Sequence, residues 1–114
     1  MNLLDQIRQN PQEITFSEVI AHIDAHYEFR PTRFTNGDTV NEAGQNNGSC
    51  KLLFFAQQQG LDAETTLQLF GDYYRTDVLK NLEGNDHQNI RNFMRYGWSG
   101  VAFDGTPLQI KPSQ

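Results

Sequence analysis

Apolar side chains recur along residues 15–28 at Phe16, Val19, Ile20, Ile23 and Tyr27. These offsets of three, four, seven and eleven describe one face of an α-helix. Thr15 with Glu18 three residues on reads as a capping box at its start. Before it, residues 2–10 predict a short helix with Leu3, Leu4 and Ile7 on one side, stopped by Pro11. Phe29 to Phe34 reads as extended, because Arg30 precedes Pro31 and is biased away from helix. From Thr35 to Gly48 only Val40 is strongly apolar, and the pattern predicts a long irregular loop. Such loops in small domains are commonly functional or mobile.

Ser49 is placed to cap a helix over about residues 49–59. Cys50, Leu52, Leu53, Phe54, Phe55 and Ala56 cover most of its circumference, so it is expected to be buried and central. Gly60 stops it. Asp62 is the expected cap of a further helix whose stripe is Ala63, Leu67, Phe70, Tyr74 and Val78. Gly71 weakens its middle and predicts a bend or split. After a loop at Asn81–Asn85, Asp86 reads as the cap of a helix from His87 to Tyr96. Ile90, Phe93 and Met94 are its expected inner face, and Gly97 ends it. Val101 with Phe103, then Asp104-Gly105, then Leu108 with Ile110 read as a C-terminal hairpin. A hairpin alone is unstable, so it is expected to pack on the helices and pair with the Phe29–Phe34 segment. The predicted fold class is α+β: about five helices and a small antiparallel sheet including the C-terminal hairpin. The 114 residues, 1–114, are expected to make one domain.

Composition narrows the function classes. The formal net charge is −5, which disfavours partners recognised by phosphate neutralisation, so nucleic acid and anionic membrane surfaces are not expected. The single cysteine, Cys50, excludes an internal disulfide and points to a reducing compartment. The N-terminal residues carry neither the basic region nor the apolar core of a signal peptide. The expected location is the cytoplasm, or export by a route that reads no such signal. No cofactor is implied, and the oligomeric state is left open.

Four constellations carry candidate chemistry. Cys50 near a helix N-terminus is a candidate nucleophile, with His87 as candidate base if the fold brings them together. The competing reading is a buried structural cysteine beside Leu53 and Phe54. Asn47, Gly48 and Ser49 offer backbone donors to an anion, against the plainer reading of an ordinary N-cap. His22 and His26, four apart, are the candidate metal pair, although no third ligand is evident and H-E-x-x-H is absent. His87, Arg91 and Arg95, with Arg75 nearby, form a cationic stripe suited to a phosphate or carboxylate. Its alternative is ion pairing with Asp72, Asp77 or Asp86. No nucleophile elbow, P-loop, zinc cysteine pair or dinucleotide fingerprint occurs.

Three stretches together carry a resemblance. They are Phe34-Thr35-Asn36-Gly37 running to Asn41-Glu42-Ala43-Gly44-Gln45-Asn46-Asn47-Gly48-Ser49-Cys50-Lys51, then Phe70-Gly71-Asp72-Tyr73-Tyr74-Arg75-Thr76-Asp77-Val78-Leu79, and Asp86-His87-Gln88-Asn89-Ile90-Arg91-Asn92-Phe93-Met94 through Gly97-Trp98. From about Phe16 to Leu108 the chain resembles the HopJ type III effector family. The resemblance implies a small bacterial protein from a family named for proteins injected into plant cells by type III secretion. It carries over no catalytic residues. The expected function is protein–protein interaction, in the bacterial cytoplasm or after secretion into a host cell. The alternative is an intracellular small-molecule, anion-binding or cysteine-dependent site near Cys50 and His87.

Overall fold

Thr15 caps the second helix in the reciprocal arrangement its sequence predicts. Its Oγ1 accepts from the Glu18 amide at 3.2 Å while a Glu18 carboxylate oxygen accepts from the Thr15 amide at 3.1 Å. The structure, a computed structural model, describes residues 2–112. Within them α1 spans Leu3–Gln9 and α2 Phe16–His26. α3 spans Asn47–Gln58, α4 Ala63–Gln68 and α5 Gln88–Tyr96. Five strands of three residues each follow the same order: β1 Tyr27–Phe29, β2 Phe34–Asn36, β3 Thr39–Asn41, β4 Val101–Phe103 and β5 Leu108–Ile110. The fold is α+β.

α3 is the central element, as its near-continuous apolar surface requires. Leu52, Leu53, Phe55 and Ala56 are all buried, packed with Val19 and Ile23 of α2 and with Phe34, Leu69 and Phe93. Burial of each leucine, isoleucine, valine or phenylalanine among them contributes roughly 1.5–3 kcal/mol. Trp98 closes one side, its ring 4.8 Å from that of Phe93 and its Nε1 donating to the Leu61 carbonyl at 2.9 Å.

Gly71 divides the fourth predicted helix. Its φ of +63° is left-handed, and a β-carbon there would stand 2.8 Å from the Phe16 main-chain nitrogen. Only glycine meets both conditions without strain. Beyond it the chain resumes as a π-helical segment, Tyr73–Val78, that keeps Tyr74 and Val78 buried.

The two C-terminal strands form where the alternation predicts, and each joins an earlier strand. β4 pairs with β2, and β5 with β1. β2 also pairs with β3, giving a three-stranded order β3-β2-β4 beside the two-stranded β1-β5. Tyr27 lies opposite Ile110, Phe29 opposite Leu108, Phe34 opposite Phe103 and Asn36 opposite Val101. The register is the same throughout, so the C-terminal segment runs back along Tyr27–Asn36 as one antiparallel ribbon. Between the two sheets the Arg30 amide donates to Pro107 O and the Asp104 amide to Arg33 O. Asp104-Gly105 therefore lies within this ribbon, opposite the Pro31 interruption, rather than reversing the chain. The pairing expected with the Phe29–Phe34 segment occurs at both of its ends.

Candidate functional site

α3 and α5 begin at the same place. Their N-terminal turns, with Phe16, Thr39, Phe70 and Tyr73, line an open cleft of about 560 Å³. Asn46 leads into α3 at φ 51°, ψ 47°, and His87 leads into α5 at φ 51°, ψ 50°. These are the two non-glycine residues with positive φ among the described residues. Neither side chain caps its helix. Among the described residues the amides of Gly48, Ser49, Gln88 and Asn89 have no protein acceptor. A helix start leaves such donors open when no side chain satisfies them, and the helix dipole adds partial positive charge there.

The facing wall is aromatic. Phe16 stacks on Phe70 at 6.2 Å and meets Tyr73 edge-on at 5.3 Å, and Tyr73 lies 5.2 Å from the His87 ring. Gly48 rests on this wall, where an added β-carbon would approach Phe16 Cζ to 2.8 Å. His87 Nε2 lies 3.1 Å from Asp77 Oδ2, so the carboxylate orients the ring. No hydrogen bond joins Ser49 Oγ to His87 among the described residues, so Asp77, His87 and Ser49 do not make a linked triad.

A buried amide network underlies the cleft. Asn36 Nδ2 donates to the Asn89 carbonyl at 2.8 Å and to Asn89 Oδ1 at 3.1 Å. Asn41 Nδ2 donates to the same Oδ1 at 3.1 Å, and Asn89 Nδ2 donates back to Asn41 Oδ1 at 3.0 Å. Asn46 Nδ2 reaches Asn41 Oδ1 at 2.7 Å. These bonds tie β2 and β3 to the first turns of both helices, and they hold Asn46 in its left-handed conformation. Buried amides cost stability unless bonded, and bonded they fix one arrangement.

The predicted site residues separate. Gly48, Ser49 and His87 meet in the cleft. Cys50 does not line it: the residue is buried, its Sγ 3.9 Å from the Thr32 carbonyl, and burial pushes the thiol up to about 11. That environment withholds the thiolate a nucleophile needs, and it agrees with the reading of Cys50 as a buried core cysteine rather than as a nucleophile paired with His87. Asn47 occupies the first turn of α3 but is not part of the lining. Ser49 is the third residue of that helix rather than its cap, and Asp86 likewise precedes the actual cap, His87.

The cationic stripe is largely committed to the fold. Arg91 Nη1 donates to the carbonyls of Asn81 and Leu82, Nε to that of Asp86, and Nη2 to Asp86 Oδ1 at 2.6 Å. Hydrogen bonding from Arg91 holds the Asp86 carboxyl below its ordinary pKa. Arg75 donates to Ile14 O and to Gln68. Arg95 is exposed, over the Tyr96 ring at 5.7 Å. Neither Arg91 nor Arg95 lines the cleft, so of the predicted cationic stripe only His87 joins Gly48 and Ser49 there.

His22 and His26 lie together in a separate groove, ring centroids 4.4 Å apart. Burial first, and the neighbouring His26 second, lower the His22 pKa. Among the described residues no three His, Cys, Asp or Glu side chains are grouped to hold a metal.

Phe16, Phe70 and Asn89 enter the site unannounced by the sequence. The first two belong to apolar helical stripes, and a stripe does not say which members border a cleft.

Fold and cleft together define a small α+β protein with a polar, aromatic-walled recess where two helices begin. The family model for HopJ type III effector protein matches residues 1–108, and the chain belongs to the HopJ type III effector family. It is similar to a solved structure described as "Crystal structure of unknown function protein VPA0580". The two share 48% identity and a TM-score of 0.94, over 97% of this chain and 95% of that one. No curated protein matches the chain. Among the described residues no helix is long and apolar enough to cross a membrane.

Proposed function

We propose that this HopJ-family chain is an effector-class binding protein that engages a protein partner after delivery into a host cell, and that the α3/α5 cleft receives an anionic group of that partner. The observation that carries this is the convergence of two uncapped helix N-termini on one aromatic-walled recess. Open first-turn amides suit a carboxylate or phosphate. The Phe16–Phe70–Tyr73 wall supplies apolar burial beside it, the combination typical of binding recesses. Beyond Thr39, at the edge of the cleft, and the buried Asn41, the exposed residues 42–45 supply a wider contact rim.

A freely diffusing anion is the second reading, favoured by a cleft volume within the usual range for small ligands. Capture from host-cell extract separates the two. Ser49→Asp places a like charge among the donors, while Ser17→Asp, exposed on α2, is the control. A protein retained by wild type and Ser17→Asp but lost with Ser49→Asp supports the proposal. Identical capture by all three overturns the cleft as the contact. Extra small-molecule mass on wild type in a native mass spectrum, absent from Ser49→Asp, favours the second reading.

A further inference from the structure

α5 presents a second face that the cleft does not use. Val78, Leu82, Arg91, Met94 and Arg95 line a groove of about 220 Å³ that shares no residue with the cleft. Its contents are unusual for a solvent face. Leu82 is 66% exposed and Met94 38% exposed, two of the six large hydrophobics left open among the described residues. Arg91, one of the two arginines lining it, has its donors committed to the 81–86 loop, which leaves Arg95 as the lining cation free to meet a partner.

Arg95 stands at the rim. Arg8, Arg33, Lys51 and Arg91 each face a carboxylate within 4 Å, but no carboxylate stands within that range of Arg95 among the described residues. An exposed guanidinium with no carboxylate within 4 Å among the described residues thus stands beside an apolar slot in a chain of net charge −5. It attracts a carboxylate and presents a planar fork that can bind one bidentately.

We propose that this groove docks a segment of a partner protein that inserts one large aliphatic side chain between Leu82 and Met94 and sets an Asp or Glu against Arg95. The volume matches one such side chain rather than a whole helix face. The groove is thus a short-motif site, in which the apolar anchor supplies affinity and the arginine supplies direction and charge selection. This contact goes beyond the cleft proposal and does not depend on it, since α5 separates the two surfaces.

The test is a selection from a random peptide library displayed on phage, using the full chain as bait. Counter-selection uses the double variant Leu82→Ser, Met94→Ser, whose side chains are exposed and whose folding is checked by circular dichroism. Peptides enriched on wild type should pair Leu, Ile or Met with Asp or Glu within four residues. They should lose at least tenfold in affinity against Arg95→Glu and regain it when their acid is changed to lysine. Enrichment of sequences without an acid, binding indifferent to Arg95→Glu, or no enrichment over the double variant each overturns the proposal. So does a concentration-dependent dimer that Met94→Asp dissolves, because the occupant is then a second copy of this chain. Ser49→Asp, which blocks the cleft, should leave peptide binding at the groove unchanged, so failure at one surface is read separately from failure at the other.

Discussion

Asn36 and Asn89 join the sheet to α5 through the side-chain amide of one and both oxygens of the other, at 2.8 and 3.1 Å. Both residues are buried, and Asn89 also exchanges bonds with Asn41, so three asparagines specify one relative position for β2, β3 and the start of α5. Replacing Asn89 by Leu removes the Oδ1 that accepts from Asn36 and Asn41 and the Nδ2 that donates to Asn41, while Asn36 keeps its bond to the main-chain carbonyl. An unpaired buried polar group costs about 1–3 kcal/mol. Urea unfolding of Asn89→Leu should show a loss of at least that size. A change below about 0.5 kcal/mol, the ordinary range of surface substitutions, would show that the network does not hold the cleft together.

Arg91 organises the loop before α5, and its effect should depend on pH. Asp86 has its pKa depressed in the folded chain by the Arg91 hydrogen bond. A carboxyl with a depressed folded pKa contributes stability above its unfolded value, and loses it as pH falls through the folded one. Hydrogen exchange of the Asn81 and Gly84 amides, which donate to the Val78 and Asn81 carbonyls, should therefore quicken as pH is taken below the carboxylate range, after correction for intrinsic rates. In Arg91→Gln the same amides should be poorly protected at neutral pH and should change little on acidification. Equal protection in both proteins would remove Arg91 from this role.

Cys50 should behave as core. With its thiol raised from 9.0 to about 11, roughly a thousandth is thiolate at pH 8, and access is closed as well. Native protein should resist thiol reagents that label the urea-unfolded chain at once. A thiol whose folded pKa is raised contributes stability that is whole below about pH 9 and is lost as pH climbs through about 11. Cys50→Ala should remove that part of the alkaline loss. Cys50→Ser should be destabilised by about 1–3 kcal/mol for a hydroxyl buried without a close partner. Fast native labelling would contradict the buried assignment.

The helices were legible because their signals are local. Thr15 and Glu18 announce α2, the all-round apolar surface of 50–56 marks α3 as central, and Gly71 marks the break after α4. The β2–β3 hairpin was not legible. Its inward positions at Asn36 and Asn41 are polar and buried, so the alternation that reveals a strand is written in asparagine instead of leucine. The strand partners at the C-terminus were half legible. Alternation places β4 and β5, but Asp104-Gly105 imitates a hairpin turn, and only the ribbon with Tyr27–Asn36 satisfies both strands. Met94 carries the apolar chemistry of an inner face and points outward, because Ile90 and Phe93 already fill the contact. For the site, spacing located the Gly48–Ser49 turn and His87 separately. Their meeting depends on the two left-handed residues, Asn46 and His87, whose conformation no local pattern announces.

The central claim is that open amides at two helix starts hold an anion in one cleft. It is tested most directly by a nitrogen-15 chemical-shift titration of the full chain with inorganic phosphate and, separately, with N-acetyl-glutamate. The amides of Gly48, Ser49, Gln88 and Asn89 should shift together, saturably and with one apparent Kd, and Ser49→Asp should weaken that Kd at least tenfold. Shifts scattered over the surface, or four cleft amides that stay still while either anion reaches high millimolar concentration, would contradict it.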